Sequence, residues 1–254
     1  MFINSISASK SDIIDQCLWK YRLKYILRLP GFGSKNEDAL NFGSFIHKIF
    51  ELGYKEKDMK SLLKIAEQER STYKVPFHEN DRMKSCLENF IVWNNGLGET
   101  MSTEQTVNVP LDEKHDINFI GVIDRVIKGN DGGYLVVDYK TSKREKKKKT
   151  LMDDNQLKGY AWAIHMLYDV PYDKIYCAHY YPVTGNFVAV KFTKFQIDRW
   201  RSSRLRRSGV SARRRKMSSG LRRTSSVTGV STRTHVLDST QSKRSASGLT
   251  SRRS

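Results

Sequence analysis

Two aspartates in the stretch "GVIDRVIKGNDGGYLVVDYKTSK", residues 121 to 143, stand where a buried strand calls for apolar side chains. The turn between the two runs is rich in Asn, Asp and Gly, so the runs read as a β-hairpin. A hairpin centred on Asp131 sets Asp124 opposite Asp138, and side chains so paired have Cβ atoms roughly 5 Å apart. Lys140, two residues beyond Asp138, shares its face. The same alternation surrounds them with Ile120, Val122 and Val126 on one strand and Val136 on the other. Two unpaired carboxylates in such a place are costly, and each resists ionisation of the other. A hard divalent cation, magnesium or manganese, removes both problems, with the backbone carbonyl of Tyr139 a candidate third ligand. Lys140 is then placed to orient a water or to offset charge on a phosphate. The plainer alternative pairs Asp124 with Arg125 or a strand-end lysine and lets Asp138 open the next turn; the hairpin spacing favours the metal.

Two further motifs bear on this choice. In "GSFIHKIFE", Gly43, His47 and Glu51 recur every fourth residue and share a helix face beside an apolar stripe, with Gly43 permitting close backbone approach. In "QLKGY", Gln156 and Tyr160 share one face of the helix after the second strand. Each alone is common: an isolated histidine is more often a surface or satisfied core residue.

In combination, the order GxxxHxxxE, then "GVID", then "DYK", then QxxxY closely resembles the PD-(D/E)XK nuclease superfamily over residues 5 to about 195. The nearest likeness is to its RecB-like exonuclease branch, which includes phage recombination and CRISPR-adaptation nucleases. The resemblance implies a restriction-endonuclease-like α/β fold and metal-dependent hydrolysis of DNA. It implies that His47, Asp124, Asp138 and the Tyr139 carbonyl bind metal and that Lys140 is catalytic. Gln156 and Tyr160 would support the site or touch DNA, with Glu51 a weaker carry-over. A recombination or helicase partner fits the same likeness. Many relatives in this branch also hold an iron–sulfur cluster. Cys17 sits where its first ligand would be, but no cysteine follows Cys177, so this chain cannot complete four thiolates. Cys17 otherwise reads as a small apolar residue of a core helix.

Those residues need elements to hold them. "SASKSDIIDQCLWKYRLKYILRLPG" reads as a helix with Ser9 and Asp12 as a capping box, a stripe of Ile14, Cys17, Leu18, Tyr21 and Tyr25, and a stop at Pro30 and Gly31. A second helix spans 39–56 with Ile46, Ile49 and Phe50 on its apolar face, and helical segments follow near 58–70 and 80–95. From 104 the period becomes strand-like through 104–112, 117–127 and 133–141. A lysine-rich loop, "KREKKKKT", leads to a helix over 154–169 capped by Asp153 or Asp154, and then to strands at 174–183 and 186–192. Helices, a three-strand meander, a helix and two strands argue for one mixed sheet flanked by helices, with residues 1–100 the mainly helical part and 101–200 the catalytic sheet and helix.

Charge divides the chain differently. Residues 201–254 hold 15 of the 45 Lys and Arg and one acid, Asp238, so this tail carries about +14 of the net +18 and the rest about +4. The tail has 15 serines and no Phe, Tyr or Trp, and reads as disordered. It is either a nucleic-acid-binding arm or the product of a shifted reading frame, which the coding DNA would decide. Basic groups at 143–149 could contact a DNA backbone or form a solvated loop. Three scattered cysteines exclude a disulfide scaffold, and neither a signal peptide nor a membrane-spanning run is visible, so a cytoplasmic setting without membrane contact is expected. Binding of nucleic acid without catalysis, through the basic loop and tail, and a non-enzymatic role for the tail both stay open.

Overall fold

The structure, a computed structural model, describes residues 5–31, 37–112 and 117–207. All of these belong to one unit, Met1–Arg214.

A short strand β1 (Ser5–Ile6) precedes helix α1 (Ala8–Gln16). The cap of α1 is Ser7, whose side chain accepts from Lys10 N–H, two residues before the expected Ser9. The helix does not run on to Pro30. At Cys17 the backbone becomes extended, with φ −167° and ψ 118°, and restarts as α2 (Leu18–Tyr21) and a π-helical turn, Arg22–Ile26. This break corrects the single-stripe expectation: Ile14 and Tyr21 are buried, whereas Cys17 and Leu18 are exposed.

Helices α3 (Glu37–Leu52), α4 (Met59–Tyr73) and α5 (Asn80–Asn94) follow. Their apolar faces, including Phe42, Phe45, Ile46, Ile49, Phe50, Leu62 and Phe90, pack on one side of the sheet against Ile127, Val137, Tyr139 and Tyr180. The sheet comprises β1 with β2 (Glu99–Asp112), β3 (Ile117–Lys128), β4 (Tyr134–Tyr139), β5 (Ile175–Tyr181) and β6 (Asn186–Val190). Its order is β1-β3-β4-β5-β6, with β2 also antiparallel to β3 and β5 parallel to β4. The parallel step needs a crossover, supplied by α6 (Lys148–Leu151) and α7 (Asn155–Tyr168). Asp154, not Asp153, caps α7, accepting from the N–H groups of Gln156 and Leu157. On this second face α7 packs with Ile14, Tyr21, Phe119, Val126, Val136, Ile197 and Trp200. Helices on both faces of a mixed sheet give the expected restriction-endonuclease-like α/β arrangement.

The last described helix, α8 (Lys194–Arg207), passes seven residues beyond the change in composition at 200. Ile197, Trp200 and Arg204 are buried along one face. Arg204 donates to the Ser11 carbonyl and pairs with Asp15 at 2.7 Å, while Arg201 donates to the Leu111 carbonyl. Residues 201–207 are thus part of the folded body, which corrects the boundary drawn at 200. The expected disorder of 208–254 lies outside the described residues. Among the described residues no helix is long and apolar enough to cross a membrane.

Candidate functional site

The site forms where β4 parts from β3. The ladder runs from Lys128–Tyr134 to Arg125–Val137, the register of a hairpin centred on Asp131. One step further, backbone pairing gives way to a side chain: Tyr139 N–H donates to Asp124 Oδ2 at 2.6 Å. β3 regains a neighbour on that edge only at Asn118 and Phe119, which pair with β1. In the gap, the Tyr160 hydroxyl donates to the Val122 carbonyl. That reach needs α7 close to the sheet, and Gly159 permits it: a Cβ there would fall 2.2 Å from the Phe119 ring.

β3 also changes hand at this point. Ile117, Phe119 and Ile123 face the α7 core before Asp124, and Val126 faces it after. Ile120 is half-buried and Val122 exposed, so the apolar neighbours expected at those two positions are replaced by Ile123. On β2 the matching irregularity is Glu104, between the pairs Thr103–Arg125 and Gln105–Ile123. Its φ of 47° is left-handed, an uncommon and strained state for a residue with a Cβ. His47, Glu104 and Asp124 each offer a ligand atom, all within 4.8 Å of one another.

α3 delivers His47. Its Nδ1 lies 3.5 Å from Asp124 Oδ2, and its Nε2 donates to the Tyr139 carbonyl at 3.0 Å. Gly43, one turn earlier, lies against Thr141, where a Cβ would come within 3.3 Å of the hydroxyl. Burial works against a charged His47, but the hydrogen bond and charge of Asp124 outweigh it and raise its pKa. Glu51, on the next turn, pairs with Lys48 at 2.9 Å and stands at the wall of the cleft rather than with the clustered ligand atoms.

Asp138, 1% exposed, stands one strand over. Its Oδ2 is 2.5 Å from Lys140 Nζ and accepts no directed hydrogen bond among the described residues. Lys140 donates to Gln156 Oε1 at 3.1 Å, and Gln156 Nε2 to the Tyr160 hydroxyl at 2.8 Å. Asp138, Lys140, Gln156 and Tyr160 are therefore one connected chain. Arg125, offered above as a partner for Asp124, points elsewhere: its guanidinium donates to Thr100 and Asn94.

The electrostatics are those of crowded carboxylates. Burial first, then the charge of Asp124, pushes Glu104 up to about 7. Burial raises Asp138 to about 6, with Lys140 opposing and Asp124 adding to the rise. Burial also lowers Lys140, but the charge of Asp138 overcomes it and the net shift is upward. An imidazole and carboxylate oxygens that strain against their own charge fit a hard divalent cation. Of these groups His47, Glu104 and Lys140 line a cleft of about 560 Å³, together with Gly43 and Tyr139.

Two residues escaped the sequence reading. Glu104 was legible only as the start of a strand, and nothing local signalled its kink. His179 lies in "CAHYY", fully buried and register-paired with Asp138 across the parallel β4–β5 ladder. Its Nε2 is 3.6 Å from Asp138 Oδ2.

The profile of the PD-(D/E)XK nuclease superfamily matches residues 5–223. The chain is 29% identical over 154 residues to a subunit of the ATP-dependent helicase/deoxyribonuclease of Streptococcus uberis, covering 54% of this chain and 14% of that protein. The same-named subunit of Streptococcus mutans is 28% identical over 138 residues, covering 48% and 13%. The chain thus spans about a seventh of these relatives. A solved structure, "Crystal structure of SSO0001", shares 18% identity over 74% of this chain and 82% of that one, with a TM-score of 0.29.

Proposed function

This chain belongs to the PD-(D/E)XK nuclease superfamily, and from that membership we propose that it is a metal-dependent deoxyribonuclease, an exonuclease of recombination, repair or defence. The observation that carries the reading is the pairing of two features: the His47, Glu104 and Asp124 ligand atoms within 4.8 Å, and Asp138 with Lys140 beside them. The two streptococcal relatives, named for helicase and deoxyribonuclease, support DNA as substrate and a helicase as partner.

His47, Glu104 and Asp124 would hold magnesium or manganese, with Asp138 and the Tyr139 carbonyl next to them. A divalent ion so held would supply Lewis acidity towards the scissile phosphate and lower the pKa of the attacking water. Lys140, kept cationic by Asp138, orients that water and offsets charge that develops on the phosphate. Gln156 fixes the lysine, and Tyr160 fixes Gln156 to the β3 backbone. The basic loop supplies backbone contacts through exposed Lys143, Arg144, Lys147, Lys148 and Lys149, whereas Lys146 is tied to Asp154 at 2.7 Å.

The test incubates purified protein with end-labelled linear DNA, with manganese or with chelator. Cleavage with manganese only, lost in Asp138→Ala, is the expected result. Identical traces from wild type and variant would refute the catalytic reading, and retention of DNA without cutting would make the chain a binding protein.

A further inference from the structure

The proposed reaction uses Asp138 but leaves unexplained the histidine buried behind it. His179 is 0% exposed, and its Nε2 has no hydrogen-bond partner among the described residues. That atom lies 3.6 Å from Asp138 Oδ2 and 3.9 Å from Asp154 Oδ2, so it is aimed between two carboxylates. The other ring nitrogen, Nδ1, is 3.2 Å from the Tyr181 hydroxyl.

The proton positions follow from the donors. Lys146 backbone N–H donates to the Tyr181 oxygen at 2.9 Å. The hydroxyl's own proton is free to go to His179 Nδ1, and in that arrangement Nδ1 is the lone-pair nitrogen. Nε2 therefore carries the ring proton and presents it to the carboxylates. An uncompensated buried donor is unfavourable, and a movement of about 0.5 Å would bring it within hydrogen-bond range of Asp138.

The chain of bonds begins in the basic loop. Lys146 is fastened twice, by its backbone to Tyr181 and by its ammonium to Asp154, the cap of the helix that carries Gln156 and Tyr160. Next to it, Glu145 accepts from Thr184 and Asn186. The loop that offers lysines to a DNA backbone is thus latched to the strand that carries His179.

We propose that His179 is the positioning residue of Asp138, and that its Nε2–H tautomer is set by the Lys146 N–H to Tyr181 hydroxyl relay from the basic loop. The relay stands on geometry alone; the role of Asp138 rests on the metal-dependent reading above. Outer hydrogen bonds of this kind typically govern metal affinity or turnover by about 10- to 100-fold.

Three measurements on the full chain test it. Nitrogen-15 NMR of the histidine rings in metal-free protein should find His179 protonated at Nε2; protonation at Nδ1 overturns the relay. Calorimetric titration with manganese should give affinity weakened about tenfold or more in His179→Leu and restored in His179→Gln, whose amide donor reaches the Nε2 position. Equal affinity in wild type and His179→Leu, or failure of His179→Gln to restore it, overturns the positioning role. Should His179→Leu not fold, Tyr181→Phe carries the test, with the Nε2–H share of the tautomers expected to fall and manganese affinity to drop. An unchanged tautomer and affinity in that variant overturn the proposal. Wild type that binds manganese in this pattern yet does not cut DNA would sink the nuclease reading and leave the positioning role standing.

Discussion

Replacing Glu104 with Gln should stabilise the metal-free protein above pH 7 while weakening its hold on metal. Glu104 is raised from 4.5 to about 7 by burial and by Asp124, so the folded state keeps a proton that the unfolded chain releases between those values. Stability from this group is therefore complete below about pH 4.5 and lost as pH rises through 7. At about 1.4 kcal/mol per pH unit the interval corresponds to about 3 kcal/mol, and half-burial admits solvent screening that reduces it to about 1.5 kcal/mol. Gln has the same shape, cannot ionise and suffers the same left-handed backbone at φ 47°, so strain cancels in the comparison. Urea denaturation in chelator should then find the two proteins equal near pH 4.5 and the variant more stable by about 1.5 kcal/mol near pH 8. Adding manganese should reverse the order, because ligation stabilises the folded state by RT ln(1 + [L]/Kd) and the variant has lost one anionic ligand. A variant less stable than wild type at pH 8 in chelator, or equally stabilised by manganese, would refute the argument.

Three other outcomes follow from the geometry. Lys140→Met should lower single-turnover cleavage by about 10²- to 10³-fold with DNA affinity retained, since the ammonium acts on developing charge; a fall in affinity alone would contradict that. Arg204→Ala should cost about 1–2 kcal/mol in thermal or urea unfolding by leaving the buried Ser11 carbonyl without its donor, Asp15 keeping Arg207 and Asn155 as partners. A chain ending at Arg207 should accordingly unfold near the full-length midpoint, whereas one ending at Trp200 should not. Replacing Lys147, Lys148 and Lys149 with Gln should weaken DNA binding at low salt and reduce the salt slope by about 0.9 for each phosphate no longer neutralised, and an unchanged slope would make the loop a solvated one.

Whatever rests on local period or on a tight turn is written in neighbouring residues. The α3 face of Ile46, Ile49 and Phe50, a cap at Asp153 or Asp154 and the hairpin register were all readable, because they depend on residues a few positions apart. The charge boundary at 200 misled, since composition is blind to a helix whose arginines are buried against backbone carbonyls and Asp15. The break at Cys17 likewise followed no local stop signal.

The tertiary structure alone decided which distant groups meet at the hairpin. The β4–β5 register brings His179 beside Asp138, and the kink in β2 sets Glu104 against Asp124 and His47. Parallel pairing runs through a crossover helix and leaves no turn to count from. The Glu104 kink is a strained backbone that intrinsic preference opposes and only surrounding contacts maintain. Spacing could name Asp124, Asp138 and Lys140, while their placement among other donors depended on contacts between residues far apart in the chain.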